Sequence, residues 1–230
     1  MTVNSSRDLL QACYWVDRQP LRLEVPLELL RMRGGLKIER HPFVQALSIG
    51  PGALQEFYGT FQPRNLAQLY RLAEKGREGE ELDPTAMPWI DRLRPKKPSG
   101  EKGLPASHGE SFYGPVSPEK LDLEYRRLVT INKSIKAQGF RQGLSYSKIE
   151  GVVFRSGDNC VFEIRGGKHR AAVLVHQGWK RIPVAFTPHW PRLIDADHVW
   201  ALKAVERKQI DPDFLREIVA VTCKGAEWKN

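Results

Sequence analysis

Apolar positions in the middle of the chain recur at two different spacings, which predict an alternation of helices and strands. Over residues 118–138 they recur every three or four positions, the spacing of one helix face, and Ser117 and Gly139 are suited to cap the two ends. Two short apolar runs follow, at residues 149–154 and 161–164, with a turn-forming Ser-Gly-Asp-Asn between them. The pattern predicts a long helix followed by a β-hairpin.

The second strand of this hairpin leads through Arg165-Gly166-Gly167 into another helical pattern at residues 168–177, which Gly178 can close. A further strand is predicted at residues 181–186. The order helix, hairpin, helix, strand predicts an α/β (α+β) fold with a small mixed sheet and flanking helices.

The glycine turn before the second helix is a candidate anion site. The first N–H groups of a helix lack internal partners and carry partial positive charge, and glycine lets an anion approach the backbone closely. The spacing is neither that of the P-loop nor GxGxxG, and an ordinary tight turn with solvated basic residues is the alternative. The candidate binding residues are Gly166, Gly167, Lys168, His169 and Arg170.

One carboxylate, Glu124, falls at the margin of the apolar face of the helix at 118–138. A carboxylate in that position needs a partner or a function, because burying an unpaired charge is costly. Arg127 and Lys120 stand three residues after it and four before it, so a helix-surface ion pair is one explanation. A catalytic base is the other.

Three short motifs in this region resemble those of the ParB/sulfiredoxin superfamily. Members carry a Gly-x-(His/Arg)-Arg turn that opens a helix, then a glycine and an Ile-Pro strand, with an upstream helix ending in an "SI…G" pattern. The resemblance covers about residues 113–186. The corresponding segments here are GKHR at 167–170, GWKRIPV at 178–184 and LVTINKSIKAQG at 128–139.

The resemblance implies a ParB/sulfiredoxin-like core with nucleotide phosphates bound at the glycine turn. Lys168 occupies the position of the sulfiredoxin cysteine, which argues against that chemistry. About 44 residues follow Phe186, fewer than the DNA-binding and dimerisation domains of a partition protein need. By similarity to a free-serine kinase of the superfamily, the expected function is transfer of a phosphoryl group from ATP (or CTP), with Mg²⁺, to a small hydroxyl acceptor, with Glu124 as base. A non-catalytic or CTP-hydrolysing ParB-like nucleotide- or DNA-binding module is the alternative.

The chain divides on composition into four parts. Residues 1–93 form an N-terminal region of mixed helix and strand, with a strand at 22–27 and helices at 28–33, 54–59 and 66–75, and residues 94–111 are a basic linker or loop. The resemblance implies that residues 112–187 form a ParB/sulfiredoxin-like nucleotide-binding core. Residues 188–230 are predicted as C-terminal helices, at 195–208 and 211–221. The composition of the basic segment indicates a solvated linker. The alternatives are that it contacts a polyanion or closes over a site. Its cations are Arg92, Arg94, Lys96, Lys97 and Lys102.

The net charge of +9 favours an anionic partner such as a nucleotide, with nucleic acid as a less favoured class. Three scattered cysteines without a CxxC pair argue against a disulfide framework or a structural zinc site. No signal peptide or membrane span is evident, so a cytoplasmic location is expected. Asp195, Asp197 and His198 suggest a metal site, although helix capping explains the aspartates more simply.

Overall fold

The computed structural model describes residues 1–16, 21–93, 104–140 and 148–229. It is a mixed α/β structure in which a curled mixed sheet is flanked by helices. The strands are β1 (Arg22–Pro26), β2 (Leu30–Met32), β3 (Leu36–Lys37), β4 (Glu150–Ser156), β5 (Asn159–Gly166), β6 (Arg181–Phe186) and β7 (Leu193–Asp195). The α-helices are α1 (Ser6–Cys13), α2 (Pro42–Ile49), α3 (Gly52–Thr60), α4 (Leu66–Leu69), α5 (Pro118–Gln138), α6 (Lys168–His176), α7 (Lys203–Glu206) and α8 (Pro212–Lys224).

The sheet runs in the order β1-β6-β4-β5-β2-β3, with β7 paired to β4 beyond the end of β6. β4 and β5 form the predicted antiparallel hairpin. β2 lies parallel to β5, with Arg31 opposite Glu163, and β1 is antiparallel to β6. Three strands from residues 1–93 therefore share one sheet with the strands of the predicted core.

The two faces of the sheet carry separate cores because side chains alternate along each strand. Phe162 and Ile164 of β5 face a core built with α1, α2, α3, α5 and α6. Val161 of the same strand, with Val152 and Phe154 of β4, faces a second core built with α4 and α8. Glu163 and Arg165 alternate with Phe162 and Ile164 and so belong to this second face.

The elements predicted around the glycine turn are confirmed. α5 has the predicted bounds, with the Ser117 side chain accepting from the N–H of Lys120 and Gly139 at its C-cap. α6 begins at Lys168, and β6 spans the predicted residues 181–186. The caps of α4 and α8 are also as predicted, with the Asn65 side chain accepting from Gln68 and that of Asp211 from Phe214.

Outside this region, one predicted helix is wrong, and two others are helical over only part of their predicted length. Residues 28–33 form the end of a 3-10 turn, Leu27–Leu29, and then β2, because pairing with β5 overrides local propensity. The helix at 66–75 ends at Leu69, before Arg71 takes a left-handed backbone with φ of 56°. Residues 195–208 begin as the end of β7 and continue as a 3-10 helix, Ala196–Ala201, and then α7.

The basic linker is described only in part. Arg94, Lys96, Lys97 and Lys102 lie outside the described residues. Its last residue, Ser111, contacts Lys168 at the glycine turn. Among the helices in the described ranges, none has the length and apolar character that crossing a membrane requires.

Candidate functional site

The glycine turn connects β5 on the sheet to α6 on one of its faces. Gly167 has φ of +78°, and a Cβ there would lie 2.5 Å from the carbonyl oxygen of Lys148. Any side chain is therefore excluded by both the backbone conformation and the space. No side chain caps the start of α6. The turn thus presents the first N–H groups of a helix without a side-chain acceptor, as an anion site requires.

Lys168, the first residue of α6, is buried and points toward the end of the linker. Its Nζ donates to the carbonyl oxygen of Ser111 at 2.8 Å and also contacts the Ser111 hydroxyl. The ammonium lies 3.9 Å from the centroid of the Phe112 ring and 5.3 Å from that of Phe43. Lys168 thus fastens residues 111 and 112 to the turn and brings a positive charge to it.

His169 is buried between α2 and α5. Its ring stacks on Phe43 with centroids 5.0 Å apart, and its Nε2 lies 2.5 Å from Oε2 of Glu124. Burial lowers the pKa of His169 to about 4, against the opposing influence of Glu124. The ring is therefore neutral at pH 7 and donates its Nε2 proton to the carboxylate.

Glu124 is fully buried, which places it inside the protein rather than at the margin of a helix face. Lys120 Nζ and Arg127 Nη1 each lie 3.2 Å from its Oε1, while His169 holds Oε2. Burial alone would raise the pKa of Glu124, but the hydrogen bond from His169 and the charges of Lys168 and Arg127 hold that pKa well below its usual range. The carboxylate is ionised and fixed in place by donors from two helices.

Arg170 is half-buried, and among the described residues it makes no hydrogen bond or ion pair. Burial lowers the pKa of its guanidinium, and the nearby charge of Arg127 lowers it further. The guanidinium thus lies near a second cation and has no carboxylate partner among the described residues. Arg170 is the member of the predicted motif that is best placed to receive a ligand.

The site as a whole carries excess positive charge. Four cations, Lys120, Arg127, Lys168 and Arg170, lie on α5 and α6 beside the one carboxylate of Glu124. The N-terminus of α6 adds its partial positive charge. An excess of positive charge at a helix start is the electrostatic condition for an anion site.

Two contributions to this site were absent from the sequence-based interpretation. Lys120 was considered only as a surface ion-pair partner, yet its side chain is 4% exposed. Phe43 and His41 were not connected with the turn at all; they enter because α2 packs against α6. Such long-range packing leaves no local signal in the sequence. For Lys120, the spacing of four residues from Glu124 was the available signal.

In the described part of the chain, the other candidate site residues have structural roles. Asp195 accepts from Arg155 at 2.7 Å, from His198 at 3.0 Å and from the N–H of Asp197, the pairing and capping expected of a helix start. Across the described ranges, no group of three or more His, Cys, Asp and Glu is arranged to hold a metal ion. The aromatic side chains of Phe57, Tyr58 and Tyr70 are buried and pack as core.

Fold and site together define a mixed α/β protein with a basic, partly enclosed turn at the end of a sheet strand. Comparisons of the chain with protein-family models, with curated proteins and with solved structures give no match. The ParB/sulfiredoxin resemblance therefore rests on the short motifs around residues 128–184.

Proposed function

We propose that this protein binds the phosphates of a nucleotide at the Gly166–Gly167 turn. The observation that carries the proposal is the convergence of Lys120, Arg127 and Arg170 near an uncapped helix start. Backbone N–H groups and Arg170 are the proposed phosphate donors. Lys168 adds its charge from behind the turn.

The resemblance extends this proposal to catalysis: a phosphotransferase that moves a phosphoryl group from ATP to a small hydroxyl acceptor, with Glu124 as base. In the arrangement described, Lys120 and Arg127 occupy Oε1 of Glu124. Both cations can turn to a bound phosphate, since phosphate oxygens compete strongly for such donors. Oε1 would then be released as a proton acceptor, while His169 keeps Oε2 in position.

The non-catalytic alternative is favoured by one specific observation. Both oxygens of Glu124 are held by nitrogen donors at 3.2 Å or less, which fits a structural carboxylate better than a base. For the same reason Glu124 does not fit a magnesium ligand in this arrangement, because nitrogen donors occupy both of its oxygens. A magnesium ion would have to arrive with the nucleotide's phosphates, and no step of the proposal passes through it.

Calorimetric titration with ATP, CTP and GTP and their diphosphates, each with Mg²⁺, tests the binding proposal. We expect triphosphates to bind more tightly than diphosphates, and one base to be preferred. Absence of binding for all six nucleotides would contradict the proposal. Phosphate release or transfer in the same samples separates catalysis from binding. A steep salt dependence of DNA binding, reporting several phosphate contacts, would instead favour the DNA-binding alternative.

A further inference from the structure

On the opposite face of the sheet, next to the glycine turn, three arginines face one carboxylate among the described residues; the side chains of Arg33 and Arg165 are buried, and Arg92 is partly buried. Arg33 follows β2, Arg165 lies in β5, and Arg92 follows a 3-10 turn at Pro88–Ile90. Continuing the parallel register of Arg31 with Glu163 by two residues places Arg33 beside Arg165. The charge of Arg165 lowers the pKa of both Arg33 and Arg92, after burial as the larger cause.

The single carboxylate, Glu163, does not balance these charges. Its Oε1 lies 2.6 Å from Nη2 of Arg165, with a geometry that is not that of a hydrogen bond. Burial raises the pKa of Glu163, so loss of its charge would only increase the positive excess. Asp91, the neighbour of Arg92 in sequence, pairs with Arg207 at 2.7 Å instead.

Several buried donors in this cluster make no hydrogen bond to any residue in the described part of the chain. No side-chain nitrogen of Arg165 has a hydrogen bond to a described residue, although the side chain is only 5% exposed and its Nη2 forms an ion pair with Glu163. The indole Nε1 of Trp89 and the hydroxyl of Tyr70 are unpartnered as well, and the Arg165 guanidinium lies 4.5 Å over the Trp89 ring. Both oxygens of Glu163 also lack a hydrogen bond among the described residues, but one carboxylate cannot satisfy so many donors. Buried polar groups in proteins are nearly always paired, so this excess of donors calls for a further acceptor.

We propose that Arg33, Arg92 and Arg165, with Trp89 and Tyr70, bind a small oxyanion: the carboxylate or phosphate group of an acidic ligand. Guanidinium groups match both oxyanions through paired N–H donors. Water would satisfy the hydrogen bonds but leave the excess charge in place. The ends of neighbouring parallel strands are a common ligand position in α/β folds.

The cluster adjoins the glycine turn without being part of it. The Phe112 ring lies 3.9 Å from Lys168 Nζ and 5.6 Å from the Arg33 guanidinium carbon, so one aromatic ring contacts a cation of each site. Arg165 immediately precedes Gly166. The oxyanion site nevertheless stands independently of nucleotide binding, because its donors lie on the other face of the sheet.

The test uses the indole N–H of Trp89 as a local reporter, assigned in a ¹⁵N–¹H spectrum by comparison with Trp89→Phe. The protein is titrated with inorganic phosphate and, separately, with succinate, at constant ionic strength set by sodium chloride. We expect a saturable shift with at least one of the two anions, and the preferred anion identifies the class of ligand. In Arg165→Met the same anion should bind about 10- to 100-fold more weakly, the effect of losing charged hydrogen bonds.

Two control variants separate this site from other basic groups. Arg170→Ala, at the glycine turn, should keep the Trp89 shift, so that failure of the nucleotide proposal leaves this one intact. Arg155→Met removes an arginine of β4 that is already paired with Asp195 and should also keep it. Wild-type protein without a saturable shift for either anion, or Arg165→Met binding as tightly as the wild type, would overturn the proposal. If Arg165→Met does not fold, the proposal is judged by whether the wild-type protein shows a saturable Trp89 shift.

Discussion

Oε2 of Glu124 lies 2.5 Å from Nε2 of His169, which joins the second turn of α5 to the first turn of α6. The contact couples the carboxylate to the glycine turn through a neutral imidazole. Gln177 donates to Asn132 at 2.9 Å near the other end of α6, so the helix pair is fixed at both ends. The phosphate-binding residues of the proposal are therefore held by a rigid pair of helices rather than by a loop alone.

Arg170→Ala should weaken triphosphate binding by about 1.5–3 kcal/mol, which is the range for a charged hydrogen bond. Thermal stability should change little, because Arg170 has no hydrogen bond or ion pair among the described residues. Isothermal titration with the preferred nucleotide measures the effect. Arg126→Ala is the control, since Arg126 is exposed on α5 and pairs with Asp122. Equal affinity in the wild type and Arg170→Ala would refute the phosphate assignment.

The elements around the turn could be predicted from sequence because their signals are local. α5 has periodic apolar positions with Ser117 and Gly139 at its ends, and α6 starts after two glycines. β2 could not be predicted this way, since three residues carry no periodic signal and their pairing with β5 spans more than a hundred residues of chain. Because β2 lies parallel to β5, Arg33 is placed beside Arg165 in the arginine cluster.

The candidate site was predicted in its residues but not in its environment. Glu124 was expected at a helix margin, and its burial depends on α6 and Lys168, which are distant in sequence. The arginine cluster does have one local sequence signal. The triplet Arg-Gly-Gly occurs at 33–35 and again at 165–167, and the two arginines end neighbouring parallel strands.

Acidification should destabilise the protein before its carboxylates titrate. Burial lowers the pKa of His41 to about 3 and that of His169 to about 4, whereas an unfolded histidine titrates near 6.5. Their stabilising contribution is complete above about pH 6.5 and falls as the pH drops, because the unfolded chain then binds protons that the folded one does not. Each should contribute a slope of about 1.4 kcal/mol per pH unit through pH 5.

Urea unfolding at pH 7 and pH 5 measures this loss. His169→Gln keeps an N–H donor for Glu124 but removes one titrating group, so the pH dependence should drop by about half. His189→Asn changes an exposed histidine and should preserve the full dependence. A His169→Gln protein with the wild-type pH dependence would show that His169 is not the buried neutral group described here.

The three thiols should be dispensable and slow to react. Burial raises the pKa of Cys13 and of Cys223 to about 12 and also raises that of Cys160. Since only the thiolate is nucleophilic, alkylation by iodoacetamide at pH 8 should be far slower than for a free cysteine. Replacing all three by alanine should leave nucleotide binding and any turnover intact. Loss of activity in a folded triple variant would show that at least one thiol is needed for function.

Glu124→Gln should lower the free energy of unfolding, because Glu124 is the buried carboxylate at the centre of the candidate site. The change leaves the buried Lys120 and the partly buried Arg127 beside an uncharged group, which costs about 3–5 kcal/mol for a broken buried ion pair. The depressed pKa of Glu124 makes its contribution complete above about pH 4.3, and it is lost as the pH falls below that value. The difference between wild type and variant in urea unfolding should therefore shrink between pH 5 and pH 3.

The same variant separates a base from a structural carboxylate. If phosphate binding draws Lys120 and Arg127 away from Oε1, Glu124→Gln should leave nucleotide affinity within about threefold and lower turnover by roughly 10²–10⁴, the range for lost general-base catalysis. Both quantities are measured at a temperature where the variant is folded, with Asp122→Asn as a control on the exposed side of α5. Turnover that persists in folded Glu124→Gln would exclude Glu124 as the base and leave it holding His169 and the cations in position. Nucleotide binding without turnover, even in the wild type, would favour the binding-module alternative.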